Sequence, residues 1–281
     1  MSVLVDNKNI VELLLAGAKF LWVGLDHKKY MELHIKNSIH INPLKFKMSR
    51  VHENTIRGAN AILPNLPITD IIMAEIIKSM RISPKDKIVL YCDDANDIPD
   101  TFNLCHKLLG LGFLEVYYLN MNWRDLPDEL KTKDLPVWDN IPNESISYFN
   151  DFVHSQELGA FVRIGATKVL DVRSVDEYCK EHISGAINID WKHFFVPDNL
   201  DPSLPSQTMK SVEEICKILS TMNLDKRNPL VVTGYDGCDI TPVVFILRRL
   251  LGWENVRCHF DSWHVWEYLK NISPIHFPVE H

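Results

Sequence analysis

Apolar positions along the chain fall into two kinds of stretch, and these recur in the same order in both halves. Short continuous apolar runs, DKIVLYC (86–92) and NPLVVTGY (228–235), are preceded by Lys, Pro or Asn. Each is followed by a longer stretch in which apolar residues return at helical spacing, PDTFNLCHKLLGLG (99–112) and TPVVFILRRLLG (241–252). Continuous runs of this length suit strands buried on both faces of a parallel sheet. Strands that alternate with helices imply βαβ units with right-handed crossovers. The pattern therefore predicts an α/β fold.

The repetition extends to the residues themselves. YMELHIKNSIHIN (30–42) and YCKEHISGAINID (178–190) share a Tyr, a His four residues beyond it, an Ile and then an apolar alternation. KLLGLGFLEVYYLNMNW (107–123) parallels RLLGWENVRCHFDSW (249–263) around Gly112/Gly252 and Trp123/Trp263. An internal repeat on this scale predicts two similar α/β domains. Their boundaries are expected at 1–127 and 146–281. The linker between them, 128–145, is rich in proline and charge and poor in periodicity.

The net charge of −7 over 281 residues argues against a nucleic-acid partner or an anionic membrane surface. No apolar run approaches the ~20 residues of a membrane span. The start of the chain fits neither a secretory signal nor an Arg-rich transit peptide, which predicts a cytoplasmic protein, with mitochondrial as the alternative. Six cysteines, none in CxxC spacing, suit a reducing compartment. Cys258, His259, Asp261 and His264 lie close together but match no tetrahedral zinc spacing. No Gly-rich phosphate or dinucleotide loop is present. The sequence thus predicts no metal and no cofactor, and names no protein partner.

Three segments carry a family resemblance. VLDVRSVDEYCKEHISGAINID (169–190) has an Asp-x-Arg strand end followed by Tyr-x-x-x-His-Ile-x-Gly-Ala, with Ser184 where a proline is usual. HFDSWHVW (259–266) has Ser-Trp-x-x-Trp, and LNMNWRDL (119–126) is its counterpart in the first half. Together they resemble the two-domain (tandem) rhodanese family and are similar to thiosulfate and 3-mercaptopyruvate sulfurtransferases. The resemblance implies two tandem rhodanese-like domains, each a small parallel sheet flanked by helices, the first catalytically silent. In the second, a cysteine directly after a strand takes sulfur from a small anionic donor and becomes a persulfide. It then passes the sulfur to a thiol or cyanide acceptor. Arg173 matches a substrate-binding arginine of the family. Glu177 stands where a second such arginine is frequent.

The loop equivalent comprises Tyr235, Asp236, Gly237, Cys238, Asp239, Ile240 and Thr241. Counting back from Gly252 puts the family's cysteine position on Tyr235, with Cys238 three residues later. Thr241-Pro242 reads as the N-cap and first residue of the next helix. A thiolate or persulfide needs backbone N–H groups aimed at it. Asp236 and Asp239 oppose such an anion and raise a thiol pKa. In the first half Cys92 directly follows its strand, but CDDANDIPD (92–100) is still more acidic. A cysteine phosphatase needs Arg six positions after the nucleophile. Ile98 and Val244 stand there instead, which sets that chemistry aside. His34 and His182 are expected to brace their turns, and Trp263 and Trp266 to pack around the loop.

Two functions follow. One is a sulfurtransferase with Cys238 as a displaced nucleophile and Arg173 holding the donor. The other is a non-catalytic rhodanese-like scaffold that has lost the persulfide site. The acidic loops favour the second.

Overall fold

The structure is a computed structural model that describes residues 3–54, 59–67, 70–138 and 152–281. The chain forms two compact units. The first takes in Met1–Phe46, Ile68–Asn150 and Phe195–Met209, and the second Lys47–Pro67, Asp151–Phe194 and Lys210–His281.

Each unit is built on a five-stranded parallel sheet of the same order. In the first unit the strands run Leu4–Val5, Val116–Leu119, Ile88–Tyr91, Lys19–Val23 and Ser38–Ile41. In the second they run Phe152–Val153, Val256–His259, Leu230–Thr233, Lys168–Asp171 and Ile187–Asn188. Both apolar runs read from the sequence become the central strand, buried at every position. Central placement explains their lack of alternation, because both faces are covered. The core of the first unit gathers Phe20, Trp22, Tyr30, Tyr91 and Trp123, and that of the second Val153, Val169, Val231, Trp263 and Trp266.

The Tyr-x-x-x-His repeat is one structural device used twice. The Tyr30 and Tyr178 hydroxyls donate to the carbonyls of Ser38 and Ala186 at 2.5 and 2.7 Å. His34 and His182 each bring Nδ1 to the carbonyl of that same tyrosine, at 2.8 and 2.9 Å. Each imidazole stacks on its tyrosine, with ring centres 4.1 and 3.8 Å apart. The turn that follows needs a left-handed residue, supplied by Asn37 (φ 58°) and Gly185 (φ 73°). Both histidines therefore brace their turns.

The contiguous domains expected from the sequence are crossed by two hairpins. Phe195–Pro197 pairs antiparallel with Pro205–Met209 and belongs to the first unit. There Gln207 Nε2 donates to the Asp93 carbonyl at 2.9 Å, and the Tyr118 hydroxyl donates to the Gln207 carbonyl at 2.8 Å. The hairpin Lys47–Asn54 with Ala59–Pro67 is grouped with the second unit. The attachment of Phe195–Met209 rests on hydrogen bonds to residues far away in the chain, which leave no periodic trace. The expected linker, 128–145, begins inside the first unit, where Lys131–Thr132 pairs with His34–Ile35. Its end and the expected boundary at 146 lie outside the described residues. Among the described residues no helix is long and apolar enough to cross a membrane.

Candidate active loop of the second unit

Leu230 stands opposite Lys168 and Val256 in its neighbouring strands, as Ile88 stands opposite Lys19 and Val116 in the first sheet. Both central strands end three residues on, at Thr233 and Tyr91. The residue directly after the strand is therefore Cys92 in the first unit and Gly234 in the second. Tyr235 is one position too late. The count back from Gly252 misses by one because the helix Thr241–Phe245 continues as a π turn, Ile246–Leu250. Its i→i+5 spacing takes up an extra residue.

The loop is held by short-range polar contacts. Gly237 turns the chain with φ 86°, a conformation a side chain would strain. Asp236 Oδ1 accepts the Cys238 N–H at 3.0 Å. The Gly234 carbonyl accepts the Trp263 N–H at 2.8 Å, so the Ser-Trp signature fastens the start of the loop. The helix begins at Thr241 itself, with Ile240 at the cap position and no side-chain cap bond. Thr241 sends both its N–H and its hydroxyl back to the Cys238 carbonyl, at 3.1 and 2.6 Å. The expected cap role of Thr241 is thus corrected: the hydroxyl closes the loop as a donor. Ile240 is buried, whereas Tyr235 is exposed and lays its ring against His264, centres 4.3 Å apart.

Asp239 dominates the electrostatics. Its Oδ2 accepts the Tyr235 N–H at 2.6 Å, while Oδ1 is sealed from solvent and makes no hydrogen bond. A Cβ built on Gly234 would collide with this carboxylate. The Asp239 side chain therefore fills the space in which a side chain at 234 would begin. Burial pushes its pKa up to about 7, with the Asp236 charge next in size and Asp171 and Glu177 adding to it. The Tyr235 N–H pulls the other way. Two loop N–H groups that could face a bound anion, those of Tyr235 and Cys238, are thus taken by the loop's own carboxylates.

The Arg173 guanidinium is held by contacts within its own unit. Its Nε and Nη2 grip the Asp171 carboxylate at 2.7 to 3.1 Å, and Nη2 also donates to the Glu181 carbonyl at 2.9 Å. The guanidinium lies over the Trp263 ring, 4.1 Å from its centre, and both partners of the ion pair are buried. The Asp-x-Arg strand end is a self-contained pair because its two residues lie two apart on one edge, with Trp263 closing over them. Glu177 accepts the Ser174 hydroxyl at 2.9 Å and so serves the start of its own helix.

Cys238 is 2 % exposed, and none of the six cysteines is in a disulfide. Cys92 is equally buried. Burial raises its thiol pKa, with Asp97, Asp93 and Asp94 adding, against a hydrogen bond from Thr101. Asp93 is turned to structure: burial favours its neutral form, but the Arg124 fork at 2.7 and 2.8 Å and the Trp123 ring N–H at 3.0 Å outweigh this and lower its pKa.

Gly234 and Asp171 were not among the residues expected at the site, and neither was the bridge formed by His259. His259 links Thr233 Oγ1 (2.8 Å) to Ser155 Oγ (2.9 Å) beneath the strand end, and burial pushes its pKa down to about 4, so it is neutral. Asp261 accepts the Ser155 N–H at 2.7 Å. His259 and Asp261 thus serve the fold, and Trp266 packs at the core with its ring at a right angle to Phe277. Among the described residues no group of three or more acidic, His or Cys side chains converges as a metal centre.

A sequence model described as the rhodanese-like domain matches residues 25–126 and 155–268. A thiosulfate sulfurtransferase of Corynebacterium glutamicum is 27 % identical over 219 residues, covering 69 % of this chain and 67 % of that protein. A putative thiosulfate sulfurtransferase of Mycolicibacterium smegmatis is 29 % identical over 138 residues, covering 43 % of this chain and 44 % of that protein. The match thus spans less than half the length of the latter relative. The crystal structure of the 3-mercaptopyruvate sulfotransferase SseA from Escherichia coli superposes with a TM-score of 0.70 at 14 % identity, covering 94 % of this chain and 99 % of that one. At that identity the likeness is one of fold.

Proposed function

The chain belongs to the rhodanese-like family, and from that premise we propose that it is a non-catalytic member that keeps the sulfurtransferase scaffold for binding. One observation carries this reading. The position directly after the central strand of the second unit is Gly234, and the Asp239 carboxylate occupies the room its side chain would need. An anion built into the chain takes the Tyr235 N–H that a thiolate or persulfide there would use.

On the sulfurtransferase reading, thiosulfate or 3-mercaptopyruvate would load Cys238, and a thiol or cyanide would remove the sulfur. Three features oppose it. Cys238 is buried five residues beyond the strand end, its backbone N–H faces Asp236, and Arg173 is committed to Asp171. The test is mass mapping of the purified chain after exposure to each donor. The expected result is no cyanide-labile sulfur on Cys238 or Cys92. Sulfur on Cys238 that disappears in Cys238→Ser would overturn the proposal and establish a displaced nucleophile.

The same geometry predicts a rescue pair. Gly234→Cys alone is expected to lose about 2 kcal/mol, because the Asp239 carboxylate must leave the Tyr235 N–H, and charge-assisted bonds are of that size. Adding Asp239→Ala makes room, and urea unfolding of the double variant is expected to recover most of the loss. A Gly234→Cys chain as stable as the parent would show that Asp239 does not fill that space.

A further inference from the structure

We propose that His27 and His40 of the first unit form a two-imidazole site for a divalent transition-metal ion such as Zn²⁺ or Ni²⁺. His27 opens the helix His27–Glu32, and His40 sits on the edge strand Ser38–Ile41, at the end of the sheet where Gly24 follows Lys19–Val23. Their Nδ1 atoms are 3.2 Å apart. Two imidazole nitrogens bound to one zinc at ~2.0–2.1 Å with a tetrahedral angle lie ~3.3–3.4 Å apart, so the observed spacing is that of neighbouring ligands. The ring centres are 4.9 Å apart and the planes are inclined at 56°, so the rings reach one region without stacking.

His40 has the support that metal-binding imidazoles have. Its Nε2 is 2.8 Å from the Gly24 carbonyl, which can only accept, so neutral His40 carries its proton on Nε2. Its Nδ1 lone pair then faces His27. Donation of the outer ring N–H to a backbone carbonyl fixes both the tautomer and the ring orientation of a ligand. The Trp22 ring, perpendicular to the imidazole with centres 6.3 Å apart, and the Tyr30 ring, centre 5.6 Å away, flank it laterally. His27 can carry its proton on either ring nitrogen. With the proton on Nδ1 it donates to His40, and with the proton on Nε2 both Nδ1 lone pairs are available to one cation. No proton need leave either residue.

The site is open. His27 is exposed and His40 half-buried, so water can complete the coordination shell. The charge-bearing groups whose fields reach His40 are His27 itself, Lys45 and Asp26. Imidazole donors suit zinc, nickel and copper over calcium or magnesium. The pairing has no metal motif in the sequence, because the two residues come from different elements and meet only when the edge strand docks.

The test uses the full chain without an affinity tag, with Cys179 and Cys216, the two exposed thiols, alkylated beforehand. Zn²⁺ is titrated while histidine ring ¹⁵N shifts are followed, and the dissociation constants of Zn²⁺ and Ni²⁺ are measured calorimetrically. The Nδ1 resonances of His27 and His40 are expected to move together and saturate at one equivalent. His27→Ala and His40→Ala are each expected to weaken binding ~10-fold or more, the scale typical of a damaged metal site. His27 is on the surface, so its variant tests the site even if His40→Ala folds poorly. No saturable binding, movement of other histidines alone, or a His27→Ala chain that binds as tightly as the parent would overturn the assignment.

Discussion

Asp239→Asn is expected to stabilise the second unit by about 2 kcal/mol at pH 8. The native carboxyl titrates near 7 against an ordinary value of 3.8, chiefly because it is buried and secondly because Asp236 is close. Each pH unit between those values corresponds to about 1.4 kcal/mol, so keeping the group ionised in the fold costs about 4 kcal/mol. Asparagine removes the charge and keeps an oxygen for the Tyr235 N–H, but it puts an amide NH2 where Oδ1 is sealed from solvent without a hydrogen bond, which gives back about 2 kcal/mol. The sign follows from the direction of the shift. A raised acid favours folding when protonated, so its contribution is fully present below pH ~4 and is lost as pH rises to about 7. Urea midpoints of the parent should therefore fall across this window, and those of Asp239→Asn should fall less. At pH 5 the advantage of the variant should shrink or vanish. A gain of equal size at pH 5 and pH 8 would show that the carboxylate is not carrying its charge in the loop.

The parts of the fold legible in the sequence are those set by local pattern. The runs at 86–92 and 228–235 announce central strands because both faces are covered, and a strand buried on both faces leaves no polar positions. The Tyr-x-x-x-His repeat announces a duplicated turn because its hydrogen bonds span four and eight residues, within reach of a linear reading. The hairpin Phe195–Met209 was illegible, because its place in the first unit rests on partners such as Asp93 and Tyr118, about a hundred residues away. At the loop, composition drew attention to Asp236 and Asp239, while counting pointed to Tyr235. Both carboxylates accept loop N–H groups, and with the π turn at Ile246–Leu250 the residue directly after the strand is Gly234, not Tyr235. A π turn is a packing outcome, and TPVVFILRRLLG contains no residue that requires one.

Arg173 presents the sharpest contrast between a family expectation and a measurable effect. A guanidinium reserved for a donor anion would be dispensable for folding, and Arg173→Ala would then change binding alone. The structure pairs it instead with Asp171, side chains 2 % and 0 % exposed, and lays it over Trp263. Removing one partner of a buried pair leaves the other charge uncompensated, at a cost of about 3–5 kcal/mol. Loss of the cation–π contact works in the same direction. Arg173→Ala is therefore expected to lower the stability of the second unit by about that amount. Adding Asp171→Asn should return part of it by removing the stranded charge, leaving the packing over Trp263 as the remainder. Urea unfolding of the two variants and the parent separates these contributions. An unchanged midpoint in Arg173→Ala would break the pairing argument and return Arg173 to the service of an anion. A large loss with partial recovery would mean that the Asp-x-Arg strand end is retained here for the integrity of the fold, whatever chemistry the loop beside it has kept or lost.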